Sequence, residues 1–224
     1  MSVAVVPLLA DEIRMNSSNG FQSTESPRTI ASWDTPTNAG KIVGELLAGT
    51  KTTVVPPRDL SGLLPSDANA RDWAQQIWRR LRDSNRIGDS DVVLFIRQNA
   101  IDAMGRQYSP LPDFFALGLV GVAIGAATRE DRFQPSFYVM VNEGSAGSSR
   151  CSIGFDTRLL DAKTGAVLSE ANSVLGQEKL PDTFHPQSWE GMGEDDRRTA
   201  ETYCIAALRR AISQAIRELK MTTQ

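Results

Sequence analysis

Asp91-Val-Val-Leu-Phe-Ile-Arg97 holds five consecutive apolar residues, and its reading decides the fold. A strand sends alternate side chains to opposite faces, so an unbroken apolar run needs cover on both sides. Val92 to Ile96 are therefore predicted to form a central strand. Cover on both sides means helices layered on a sheet. With 224 residues, 41% hydrophobic and 23% charged, the chain can build one sizeable core and is globular rather than disordered.

Toward the N-terminus, residues 3 to 9 (VAVVPLL) form a second apolar run suited to a buried strand. Pro7 predicts that its second half lies near an edge or bends away. Residues 16 to 20 read as a turn, and Phe21 to Ile30 as a weaker strand. Asp34-Thr35-Pro36-Thr37 reads as a helix start, with proline where its missing N–H costs little. That helix buries Ile42, Val43, Leu46 and Leu47 and ends at Gly49. Thr52 to Val55 is a β-branched strand stopped by Pro56-Pro57. A second helix, capped by Asp67 or Asn69, repeats Ala70, Trp73, Ala74, Ile77 and Leu81 at helical spacing. Arg71, Arg79, Arg80 and Arg82 lie on its other face, read as solvated.

Toward the C-terminus, residues 135 to 175 change character. Ser136 to Val141 is a strand, and Gly144 to Ser149 a flexible tip. Ile153, Phe155, Thr157 and Leu159 then alternate against Gly154, Asp156 and Arg158, a period of two. Asp161-Ala-Lys-Thr-Gly165 is a tight turn with Gly165 at positive φ, and Ala166 to Val174 is the returning strand. The block is a three-stranded antiparallel meander. Residues 176 to 193 read as a surface loop. Glu194 to Lys220 is a long helix whose stripe is Ala200, Cys204, Ala207, Leu208, Ala211, Ile212, Ala215 and Leu219. The expected fold is α/β: a single domain over 1–224, one mixed sheet with helices packed on it, an antiparallel meander in the second half and a long C-terminal helix. A flexible or apolar insert is expected at 111–134.

Chemistry is sparse. The net charge of −3 offers no attraction for nucleic acid or an anionic membrane. One histidine, His185, with no CxxC or HxxxH spacing, leads us to expect no metal site. His185 has no orienting partner in sequence and reads as a surface residue. Asp11 and Glu12 follow the first strand, where α/β folds place functional acids, or serve as turn or cap residues. Alternation sends Asp156 to the polar face, so Asp156, Asp161 and Glu170 read as a salt-bridge ladder. Cys151 and Cys204 are assigned to a strand and a helix face and are expected to be unbonded, small buried hydrophobes.

The segment Phe114 to Ala127 (FFALGLVGVAIGAA) carries no charge and three glycines. Its spacing is neither a dinucleotide fingerprint nor a phosphate loop, so no cofactor is expected. It is too short to span a bilayer as a helix. It fits a buried helix or strand, a ligand-cradling loop, or an apolar flap that docks on a partner. The last reading makes Phe114, Phe115, Leu117 and Leu119 the candidate interaction residues.

The opening strand VAVVPLL, the helix ending LLAGTKTTVVPP, the strand DVVLFIR and the hairpin FDTRLLDAKTGAVLSEANS before a long terminal helix resemble a group of bacterial cell-envelope proteins. Many of them are lipoproteins; they include the amino-terminal domain of TolB, CsgG and LpoB. The opening is also similar to that of exported bacterial proteins of similar length. The resemblance covers about three quarters of the chain and leaves 111–134 unmatched. No lipobox cysteine stands near the start. The resemblance implies a non-catalytic envelope interaction or assembly protein, periplasmic or outer-membrane-associated, with its signal segment absent here. Its partners would be another protein or a second copy, with peripheral membrane contact as a further option. A cytoplasmic location is the alternative. The functional alternative is a small-ligand-binding or hydrolytic domain with its site at the strand ends near Asp11 and Val55–Asp59.

Overall fold

The computed structural model describes residues 1–17, 28–56, 72–98, 137–141, 149–186 and 188–221. Within them lie eight strands and three α-helices: β1 (Ser2–Leu8), β2 (Glu12–Ser17), β3 (Arg28–Thr29), α1 (Thr35–Leu46), β4 (Lys51–Val54), α2 (Trp73–Asp83), β5 (Val92–Gln98), β6 (Phe137–Val141), β7 (Arg150–Asp161), β8 (Val167–Lys179) and α3 (Glu194–Glu218).

All eight strands join one mixed sheet. β1 runs parallel to β4 and β5, and β2 parallel to β6. β7 runs antiparallel to β5, β6 and β8. β8 follows β7 from Arg150 to Leu160 along one edge. The other edge therefore carries two strands end to end, β6 along Arg150–Ile153 and β5 along Phe155–Asp161. β5 ends at Gln98 and β6 begins at Phe137. The β6–β7–β8 meander and the long C-terminal helix match expectation.

Side-chain parity assigns the two faces. Val3, Val5, Val92, Leu94, Ile96, Cys151, Ile153 and Phe155 share one core with α1 and α3. Ala4, Val6, Val93, Phe95 and Leu160 share the other with α2. β5 is thus covered on both faces, with Val92 to Ile96 all buried, as its apolar run requires. Pro7 lies on β1 beyond the last residue paired with β4, where the outer edge needs no N–H from it.

Several expectations need correction. Residues 12–17 form strand β2, although Asn16 and Ser17 were assigned to a turn; pairing with β6 outweighs their weak β-propensity. β8 continues to Lys179, so the loop after it begins four residues later than expected. Leu46 is only partly buried. Asp67, Asn69 and Ala70 lie outside the described residues, as do 18–27 and the insert at 111–134.

The largest correction concerns the cysteines. Cys151 and Cys204 form a disulfide with Cα atoms 5.3 Å apart. Cys151 points to the face of β7 that α3 covers, and Cys204 lies on the buried stripe of α3. A strand residue and a helix residue meet once the helix packs on that strand's face. The expectation of two unbonded thiols overlooked this.

Candidate functional site

Asp11 has a structural task. Its carboxylate accepts a hydrogen bond from the Thr35 N–H at 2.7 Å, the first residue of α1. Asp34, the N-cap residue of α1, makes no such bond with its side chain and sits in the left-handed region at φ 45°. The cap comes from across the fold, and it satisfies a donor that the helix cannot satisfy itself. The Asp11 backbone carbonyl also accepts from Ile30 N–H. Glu12, on β2, has its carboxyl pushed up by burial, with Arg14 opposing. Val55, at the other strand end, is buried, and 57–59 lie outside the described residues.

A polar network lies on the α2 side of β5, β7 and β8. Asp156 accepts from the Arg97 guanidinium at 3.2 Å with one oxygen and from the Ser173 N–H at 2.9 Å with the other. Ser173 belongs to a bulge: Asn172 and Ser173 together oppose Asp156, and Ser173 takes φ 67°. Arg158 pairs with Glu170 at 3.4 Å. Arg97 and Arg158 lie 4.4 and 5.3 Å from the centre of the Trp73 ring. Burial holds the Arg97 guanidinium below the ordinary arginine range, opposed by Asp156. The network joins α2 to the sheet and pins the bulge. Of the expected ladder of Asp156, Asp161 and Glu170, Asp156 and Glu170 form ion pairs with Arg97 and Arg158, whereas Asp161 caps the hairpin turn instead. The network's link to Trp73 was invisible, because sequence does not tell which strand residues a helix tryptophan overlies.

Asp161 closes the hairpin turn. Its carboxylate accepts from the backbone N–H of Lys163 and Thr164 and from the Thr164 hydroxyl. These bonds, led by the Thr164 N–H, hold its carboxyl below the usual aspartate range. Asp11, Asp156 and Asp161 are thus engaged with a helix end, a bulge and a turn, respectively. His185 is exposed. The candidate residues Phe114, Phe115, Leu117 and Leu119 lie outside the described residues. No described helix is long and apolar enough to cross a membrane.

A shallow depression of about 670 Å³ opens beside the hairpin, lined by Arg158, Val167, Leu168, Ser169, Glu170 and Asn172. Sequence reading placed Glu170 in the salt-bridge ladder and assigned none of these residues a binding role. The signal was the pair Val167–Leu168 near the start of the returning strand, where alternation would place one of the two outward.

No family model and no curated protein matches the chain. Among solved structures it is similar to XCC0632 from Xanthomonas campestris, at 10% identity and a TM-score of 0.36, covering 95% of this chain and 80% of that one. It is similar to lipoprotein GNA1162 from Neisseria meningitidis at 12% identity and a TM-score of 0.32, covering 96% and 100%. The LpoB C-terminal domain from Salmonella enterica follows at 14% identity and a TM-score of 0.24, covering 79% and 82%. These neighbours are bacterial and include a lipoprotein. At such scores no function passes from them to this chain.

Proposed function

We propose that this chain is an exported, non-catalytic protein of the bacterial cell envelope that acts through contact with another protein or a second copy of itself. The observation that carries the reading is the Cys151–Cys204 disulfide. Disulfides persist in oxidising compartments such as the periplasm and are rare in the reducing cytosol. The sequence resemblance to envelope proteins points to the same place. The engagement of Asp11, Asp156 and Asp161 in structural hydrogen bonds favours this reading over a hydrolytic site at the strand ends.

The contact surface on this reading is the uncharged segment carrying Phe114, Phe115, Leu117 and Leu119. Each large apolar side chain there gains roughly 1.5–3 kcal/mol on burial, which a partner surface supplies. The test uses protein recovered from the periplasm. Alkylation in denaturant without reductant should label no thiol. The Leu117→Ser/Leu119→Ser variant should then lose self-association, or cross-linking to its envelope partner, at an unchanged melting temperature. Two labelled thiols would remove the disulfide on which the reading rests. A variant that unfolds with no prior change in assembly would make the segment ordinary core.

A further inference from the structure

The Cys151–Cys204 bond lies where no outside sulfur reaches it. Cys151 is flanked in register by Val139 on β6 and Glu178 on β8, and α3 covers its face. Cys204 lies on the buried stripe of α3, and neither cysteine has exposed surface. The helix is pressed down about one turn further on, where a Cβ at Gly176 would overlap the Ala207 carbonyl oxygen. Arg210 on α3 reaches Glu178, the strand neighbour of Cys151. Thiol–disulfide exchange runs through a mixed disulfide and needs access to a thiolate. With α3 seated, neither thiol of a reduced chain could begin that reaction.

The architecture supplies a way in. The core that holds the cysteines, between α1, α3 and one sheet face, is separate from the core under α2 on the other face. α3 reaches the sheet through residues 180–193 and gives it no strand, so it can lift while the eight strands stay paired. We propose that α3 gates the oxidation: the bond forms in a chain whose sheet and α2 layer are already folded, when α3 lifts off β7 and β8 and admits a disulfide-bearing oxidant. One cysteine thiolate attacks the oxidant's disulfide, forming a mixed disulfide and releasing one thiolate. Reseating of α3 brings up the second cysteine thiolate, which attacks the mixed disulfide, forms the Sγ–Sγ bond and releases the other thiolate. Two electrons pass to the oxidant, and the two cysteine protons pass by way of solvent to the released thiolates. The folded sheet favours the second step. It sets the Cα atoms 5.3 Å apart, whereas a separation of 53 residues in an unfolded chain dilutes one thiol against the other. Once made, the bond tethers α3 to β7, so the lifting motion belongs to the reduced chain.

The test uses the purified full chain, reduced and held without oxidant until circular dichroism shows it folded. Oxidised glutathione is then added, and the remaining thiols are counted by alkylation and mass. Thiol loss should be slower in native buffer than in denaturing urea, on the order of tenfold or more, because local opening limits it. Gly176→Ala pushes α3 off β8 and should speed the native reaction on the order of tenfold. Leu81→Ala opens a cavity in the α2 core and should leave that rate within about twofold. Ile77→Val, a smaller loss in the same core, takes its place if that variant does not fold. Equal acceleration by the two kinds of variant would overturn the proposal, since global unfolding would then be the gate. So would a native rate equal to that in urea, a rate indifferent to Gly176→Ala, or a reduced chain that does not fold.

Discussion

Gly176 shows how one residue sets the distance between layers. It lies on β8 opposite Ile153, and its missing side chain lets the α3 backbone descend onto the strand. An added methyl would overlap the Ala207 carbonyl and press on the Ala211 side chain, at 2.8 Å. Neither can yield without moving α3, so Gly176→Ala should cost about 3 kcal/mol, the upper part of the overpacking range. Urea unfolding of the variant measures this, and a loss below about 0.5 kcal/mol, as at an ordinary surface site, would mean that α3 sits higher than described. Gly165 is constrained twice, by φ 71° and by the Trp78 ring that its Cβ would strike. The sequence marked Gly165 by its place in a tight turn. It gave no sign of Gly176, because a close helix approach is a long-range fact.

At the scale of elements, the parts most legible in sequence were those with an unbroken period. Val92–Ile96 and the α3 stripe are buried as their patterns require. β2 was missed because Arg14 and Asn16 alternate with Ile13 and Met15 over too few residues beside a polar run. The bulge was missed because Asn172 and Ser173 gain their place from Asp156, sixteen or more positions earlier. The hairpin turn was legible and has a measurable consequence. Asp161 is held below the ordinary aspartate value of about 4 by the Thr164 and Lys163 N–H groups. Its contribution is therefore fully present above the unfolded value and is lost as the pH falls through the lower folded value. Asp161→Asn should flatten the acid limb of the stability–pH curve between those two values and leave the neutral plateau nearly flat. Asp91, Asp182 and Glu45 are held low as well, so part of the slope should survive. An unchanged acid limb would show that the turn bonds do not discriminate between the charge states of Asp161.

At the scale of the molecule, the disulfide ties the last helix to the middle of the sheet. The two sulfurs belong to the core between β7 and α3, and both residues are fully buried. Their separation of 53 residues encloses β8 and the loop that leads to α3. Closing a loop of that length removes unfolded-chain entropy worth about 4 kcal/mol, a large part of a typical domain's stability. The bond also joins α3 to the strand pair it packs on, β7 and β8. The Cys151→Ala/Cys204→Ala variant should therefore lose about 2–5 kcal/mol in urea unfolding. Because neither sulfur meets solvent, reductant added to the folded protein should act only as fast as the chain opens, so the rate of thiol appearance should track the unfolding rate. Fast reduction under native conditions would place the bond at the surface. A double variant as stable as the parent would mean that packing alone holds α3 down, and the disulfide would then report the compartment without supporting the fold.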